Sequence, residues 1–308
     1  MEQFKKMLFV SCGEKEDLAA LDRAHRLALD NNARLTLVRV IDELPAALGY
    51  FLPKKRLNAL QEAAETLAGK ELEQLAGKFD ASLQVETRIL TGKPFLELIR
   101  AVLANSHDLL IKPKQSPTED AELDSTELHL LRKCPCPVWF IKPSQRKPFG
   151  KILIAVDPDP SDAERLNLHT ELLKLGASLA NSENGKIEVV HVWEMYGAKS
   201  LDGPRYNLTD DEISAMEDKL EKTHRKWLDD LVAPYADLPL KATLVKGSTS
   251  EALLKLIEKR KPDIVIMGTL ARSGLPGFLI GNTAETVLSK ISSSIFTIKP
   301  RGFKTPVS

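Results

Sequence analysis

The chain repeats itself, and this limits its fold more than anything else in the sequence. Lys6-Met7-Leu8-Phe9-Val10-Ser11-Cys12 aligns with Lys151-Ile152-Leu153-Ile154-Ala155-Val156-Asp157. Leu35-Thr36-Leu37-Val38-Arg39-Val40 aligns with Ile187-Glu188-Val189-Val190-His191-Val192. The stretch from Leu90-Thr91-Gly92 to His107-Asp108-Leu109-Leu110-Ile111 lies without a gap on Val245-Lys246-Gly247 through Pro262-Asp263-Ile264-Val265-Ile266. Trp139-Phe140-Ile141-Lys142-Pro143 then matches Phe296-Thr297-Ile298-Lys299-Pro300. Chance explains one match between short apolar runs; four in the same order mark a duplicated unit. Pro143-Ser144-Gln145-Arg146-Lys147-Pro148, polar and bracketed by prolines, reads as the linker. It divides the 308 residues into units 1–146 and 147–308, each of ordinary domain size.

Each unit alternates short β-branched runs with longer amphipathic ones. In the second unit the strands are expected at 152–156, 187–192, 240–245, 263–267 and 295–298. Thr209-Asp210-Asp211-Glu212 predicts a capping box, opening a helix that carries Ile213, Met216, Leu220 and Trp227. Ser248-Thr249-Ser250-Glu251 predicts a second box. Pro94 fits the first turn of a helix in the first unit. The charged helix over 54–78 is expected to turn Leu57, Leu60, Ala64 and Leu67 to the core. Strands alternating with helices imply right-handed crossovers and a parallel sheet covered on both faces, an α/β fold. Each unit ends in an apolar strand, 138–141 or 295–298, at a sheet edge. Bare apolar edges invite aggregation, so these two are expected to pair and make a pseudo-symmetric intramolecular dimer.

Composition excludes several function classes. Lys+Arg and Asp+Glu both total 43, without the basic excess of a nucleic-acid binder. No apolar run approaches the roughly 18 residues of a membrane span. Three cysteines, an odd number, argue against a disulfide framework and for a reducing compartment. The first residues lead into a strand-like run rather than a secretory signal, so a cytoplasmic location is expected. Neither Gly-x-Ser-x-Gly nor Gly-Lys-Ser/Thr occurs, and no general base or metal cluster accompanies the glycines, so no catalysis is expected. Cys134-Pro135-Cys136 offers two ligands, too few for structural zinc. Cys12 ends a strand whereas Cys136 precedes one, which separates them by roughly 15 Å. His191 reads as a core residue of its strand, and His25 and His224 lie on helices without partners at ligand spacing.

The chemistry concentrates in Met267-Gly268-Thr269-Leu270-Ala271-Arg272-Ser273-Gly274 and in Gly281-Asn282-Thr283-Ala284-Glu285. The segment runs from the carboxyl end of a buried strand to the start of an amphipathic helix. Glycines there let backbone N–H groups approach an anion, and Asn282 or Thr283 is placed to cap a helix whose N-terminus favours negative charge. Asp157, closing the first strand of that unit, is suited to a ribose, a base or a phosphate-bound metal. If the sheet reverses its winding between the unit's first and fourth strands, Asp157 and Gly268 share one crevice. The glycines serve equally well to shape a long surface loop.

The second unit resembles the universal stress protein family, whose nucleotide-binding members carry glycine, two residues, glycine, nine residues, then glycine followed by serine or threonine. Here those places fall on Gly268, Ala271, Gly281 and Asn282, with spacing kept and two positions changed. The resemblance covers the whole chain, since the family includes tandem members with degenerate first halves. It implies two doubly wound domains, each with a five-stranded parallel sheet ordered 3-2-1-4-5. It also implies, in some members, a pocket for ATP or another nucleotide-bearing ligand, and a role in stress survival without known catalysis. By that resemblance Asp157 lies near ribose and base and Val192 against the base. Gly268 and Gly281 follow the phosphates, Asn282 and Thr283 donate to them, and Thr269 belongs to the same site. Ala271 adds a Cβ where the backbone approaches the ligand. In the first unit Cys12, Pro113 and Asp124-Ser125 stand at the places of Asp157, Gly268 and Gly281-Asn282, which argues against a nucleotide there. A ligand-free interaction scaffold and a weak hydrolase are the other readings; a homodimer fits any of them.

Overall fold

The structure, a computed structural model, describes residues 4–115, 123–145, 147–195, 209–269 and 281–307. In the first half β1 (Lys6–Val10), α1 (Glu14–Asn31), β2 (Arg34–Ile41), α2 (Lys54–Ala76) and β3 (Val85–Thr91) precede α3 (Pro94–Asn105), β4 (Leu109–Pro113), α4 (Ser125–Lys133) and β5 (Val138–Ile141). The second half repeats the series as β6 (Lys151–Val156), α5 (Ala163–Glu183), β7 (Lys186–Trp193), α6 (Asp210–Val232) and β8 (Leu240–Lys246). It continues with α7 (Thr249–Arg260), β9 (Ile264–Gly268), α8 (Asn282–Lys290) and β10 (Ser294–Ile298). The ten strands form one sheet, β3-β2-β1-β4-β5-β10-β9-β6-β7-β8, so each half has the order 3-2-1-4-5. Neighbours within each half run parallel, while β5 and β10 meet antiparallel with Trp139 opposite Phe296. The two apolar edges expected from sequence thus cover each other.

Alternation along the strands builds two cores. Met7 and Phe9 face a layer of α1, α2, α5 and α6, where Ala24, Leu72, Leu172 and Leu228 are buried. Leu8 and Val10 face a layer of α3, α4, α7 and α8, where Leu98, Leu130, Leu253 and Val287 are buried. Local signals recur with the repeat. Gly92 and Gly247 adopt φ of 141° and 143°, a backbone that other residues rarely take, at the same turn of each half. Asp108 accepts from the N–H groups of Lys5 and Lys6, as Asp263 does from that of Lys151. Pro94 opens α3 and the Thr209–Glu212 box closes as expected. Ser248 is the N-cap of α7 but makes no side-chain bond; its ψ of 125° falls short of the 157° at Thr209 and 172° at Asp124, where boxes close.

One expectation fails on α2. Leu60 and Leu67 are 46% and 61% exposed, Leu57 and Ala64 are half-buried, and the core residues are Ala68, Leu72 and Leu75. At 23 residues the helix is about 34 Å long, whereas the strands beneath it, of 7 and 8 residues, span about 25 Å. Its first turns therefore extend past the sheet. Met216, on α6, is likewise 41% exposed, and the buried residues of that helix are Leu228 and Leu231.

The seam is tied by side chains from both halves. Trp139, Phe149, Phe296 and Phe4 form an aromatic chain with centroid spacings of 5.5 to 6.1 Å. Arg23 lies over Phe149 and donates to the Gln145 and Lys147 carbonyls of the linker. Lys299 donates to the Leu131 carbonyl of α4, and Lys114 to that of Ile291 beyond α8, at 2.7 Å. Each half thus satisfies a helix end in the other. Burial lowers both ammonium groups to a pKa of about 8. Among the described residues no helix is long and apolar enough to cross a membrane.

Candidate functional site

The strand order puts β6 between β7 and β9, so the chain leaves β6 at a point where the winding reverses. Open α/β sheets bind ligands outside the carboxyl ends of the strands at such points. Ala155 pairs with Met267, and two residues beyond them come Asp157 and Thr269. The topology therefore brings together the strand ends on which the sequence motifs sit.

A cleft of about 330 Å³ opens there, lined by Asp157, Asp159, Arg165, His191, Val192, Trp193, Glu194, His224, Trp227 and Thr249. Two expected site residues, Asp157 and Val192, are thus in one cavity. The Asp157 carboxylate accepts from Arg165 at 3.1 Å, and Asp162 caps α5 and holds the same arginine at 3.4 Å. The Asp157 N–H donates to Nε2 of buried His169 at 3.2 Å. Burial lowers the His169 pKa to about 4, which keeps the imidazole neutral and able to accept. Val192 is 5% exposed on the floor of the cleft.

The imidazoles of His191 and His224 were not legible as a pair. His191 is buried, as expected of its strand, with Nδ1 3.2 Å from the Val156 carbonyl and Nε2 2.9 Å from Nδ1 of His224. His224 stacks on Trp193 at 5.6 Å and meets Trp227 edge-on at 4.9 Å. Thus His224 does have partners, 33 residues away in sequence and on another element, where no linear spacing signals them. Burial lowers its pKa, against the opposing pull of Asp157 and Asp159. The result is an aromatic wall, with Trp193 and His224 stacked and Trp227 edge-on, beside three carboxylates and one guanidinium.

Gly268, Thr269, Gly281, Asn282 and Thr283 lie at the adjoining strand end. Thr269 is buried, donates its N–H to Ile298 and accepts that of Gly281 at 3.4 Å. Gly281, rather than Asn282 or Thr283, is the N-cap of α8, so those two are the first helical residues and their backbone N–H groups belong to the open helix end. Gly268 has a packing cause of its own: a Cβ there would lie 2.7 Å from Cδ2 of Leu168 on α5. Residues 270–280, Ala271 among them, fall outside the described residues.

The first half differs at the same place. Asp124 caps α4 in a full box with Glu127, so a carboxylate of the chain occupies the helix N-terminus. Glu127, fully buried, accepts from Lys112 at 2.8 Å and from the Gln115 N–H at 2.9 Å. Ser11 and the Cys12 N–H both donate to Asp17, and burial raises the Cys12 thiol to a pKa of about 12. Cys134 and Cys136 are buried with Sγ atoms 3.6 Å apart.

Two copies of a doubly wound α/β unit, joined edge to edge, with a strand-end cleft in the second half, define the class. The universal stress protein family profile matches residues 3–142 and again 148–299, and the chain belongs to that family. Its curated relatives include universal stress protein E of Photorhabdus laumondii subsp. laumondii, 26% identical over 100% of this chain and 98% of that protein. Universal stress protein E of Salmonella typhi is 29% identical at the same coverage. Among solved structures, a putative universal stress protein from Pseudomonas aeruginosa UCBPP-PA14 superposes with a TM-score of 0.70 at 23% identity, covering 97% of this chain and 94% of that one.

Proposed function

We propose that this universal stress protein binds a nucleotide or nucleotide-like ligand, ATP among the candidates, in its second half alone, and acts through binding rather than catalysis. The observation that carries the reading is the contrast at one repeated place: a carboxylate caps α4, whereas glycine caps α8. The helix N-terminus left without an acidic cap is the one that favours an anion. Asp157, Val192, Gly268, Thr269, Gly281, Asn282 and Thr283 form the proposed site, with His224, Trp193 and Trp227 as an aromatic wall for a base. The division into 1–146 and 147–308 follows the same contrast. A cytoplasmic setting agrees with the odd cysteine count.

One observation favours the scaffold reading. The cleft sets Asp157, Asp159 and Glu194 against Arg165, and Arg165 already holds Asp157. A polyphosphate entering there meets net negative charge, so any phosphates must lie toward Gly281. The test is titration of ATP into four full-length variants. Asp157→Ala and Gly281→Asp each weaken binding at least tenfold, while Cys12→Ala and Asp124→Ala leave it unchanged. Loss on altering Cys12 or Asp124, with Gly281→Asp still binding, reverses the assignment of the halves.

A further inference from the structure

The exposed stripe of α2 has no role in the core or in the strand-end cleft. Tyr50 and Phe51, just before the helix, are 88% and 81% exposed, and Leu60 and Leu67 are 46% and 61% exposed. Leu57, Leu60, Ala64 and Leu67 recur at intervals of 3, 4 and 3, the spacing by which one helix packs against another. Contiguous apolar surface of this kind marks an interaction site.

We propose that the chain forms a two-fold homodimer in which α2 packs antiparallel against α2 of a second copy. Charge complementarity in a single register supports this pairing. Setting Leu60 against Leu67 places the two-fold between Ala63 and Ala64, whose small side chains let the helices cross closely. In that register Arg56 comes level with Glu71 of the partner subunit, and Glu71 with the partner's Arg56. Arg56 and Glu71 are both exposed. The basic start of the helix thus faces the acidic end of its copy twice over. Parallel packing in register would set like charges side by side.

The test is sedimentation of the full chain over a range of concentrations. The wild type shows a reversible monomer–dimer equilibrium, and Leu60→Glu with Leu67→Glu leaves only monomer; both positions are exposed, and an unchanged circular dichroism spectrum verifies the fold. Arg56→Glu and Glu71→Arg each weaken the dimer at least tenfold, and the two together restore it to within about threefold. A wild type that stays monomeric at every concentration overturns the proposal, as does a dimer indifferent to Leu60 and Leu67. Failure of the double swap to restore association overturns the antiparallel register. Monomers that bind anionic vesicles through Tyr50, Phe51 and Lys54-Lys55-Arg56 overturn it too, and give the patch to a lipid surface.

Discussion

At the scale of residues, His169 is the clearest titrating contributor. It accepts the Asp157 N–H and has a folded pKa of about 4 against 6.5 in the unfolded chain. Above pH 6.5 it is neutral in both states. As pH falls through that value the unfolded chain takes up the proton first, so stability is lost between about 6.5 and 4. At 1.36 kcal/mol per unit the loss is on the order of 3 kcal/mol. His107 and His224 are shifted the same way by burial and add to it. Urea unfolding at pH 7.5, 6 and 5 measures the slope, and His169→Gln flattens it by its share; an unchanged slope in that variant excludes the contribution. Lys112 makes a second case: Lys112→Met strands buried Glu127 and costs about 3–5 kcal/mol by the same assay. A cost under about 1 kcal/mol there would show that Gln115 and Asp124 alone hold the carboxylate.

Elements differ in how plainly the sequence announces them. The strands of the second half fall within a residue or two of expectation, because short runs such as Ile264-Val265-Ile266 are apolar throughout and buried on both faces. The α2 stripe misleads because helical periodicity reports amphipathicity and not what covers the apolar face. The start of α8 misleads because Asn282 is a preferred cap, yet Gly281 takes that place. The seam shows another limit. Lys142 and Lys299 occupy the same repeat position, but Lys299 is the one that caps α4 from across the molecule. Lys299→Met should cost about 1–3 kcal/mol by leaving the Leu131 carbonyl unsatisfied. It should also remove a pH effect. Lys299 is charged in both states below pH 8, whereas between about 8 and 10.5 the unfolded chain holds more protons, so stability rises with pH in the wild type. Thermal unfolding at pH 7, 8.5 and 9.5 reads both. Phe296→Ala, which opens the aromatic chain between β5 and β10, should cost about 3–5 kcal/mol; equal unfolding of wild type and variant would mean that the seam adds little.

Across the whole molecule, one fold occurs twice with different residues at its strand ends. The repeat was legible because duplicated strands keep their apolar runs, and Gly92 and Gly247 keep a backbone that only glycine adopts readily. Of the cleft lining, Asp157 and Val192 were legible because each lies at the carboxyl end of a strand. The wall of His224, Trp193 and Trp227 was not, since α6 meets β7 only in three dimensions. The carboxylate at the start of α4 was legible in Asp124, but not the buried Lys112–Glu127 pair behind it. An asymmetric molecule is therefore expected, with a helix N-terminus capped by the chain's own acid in one half and by glycine in the other, where a ligand is predicted to bind. A ligand at 100 times its dissociation constant would stabilise the folded chain by about 2.7 kcal/mol, enough to detect. The most direct measurement is the stoichiometry of ATP binding to the full-length protein by isothermal titration calorimetry. One molecule per chain, abolished by Gly281→Asp, is the predicted result; two per chain, or no heat at millimolar ATP, would contradict it.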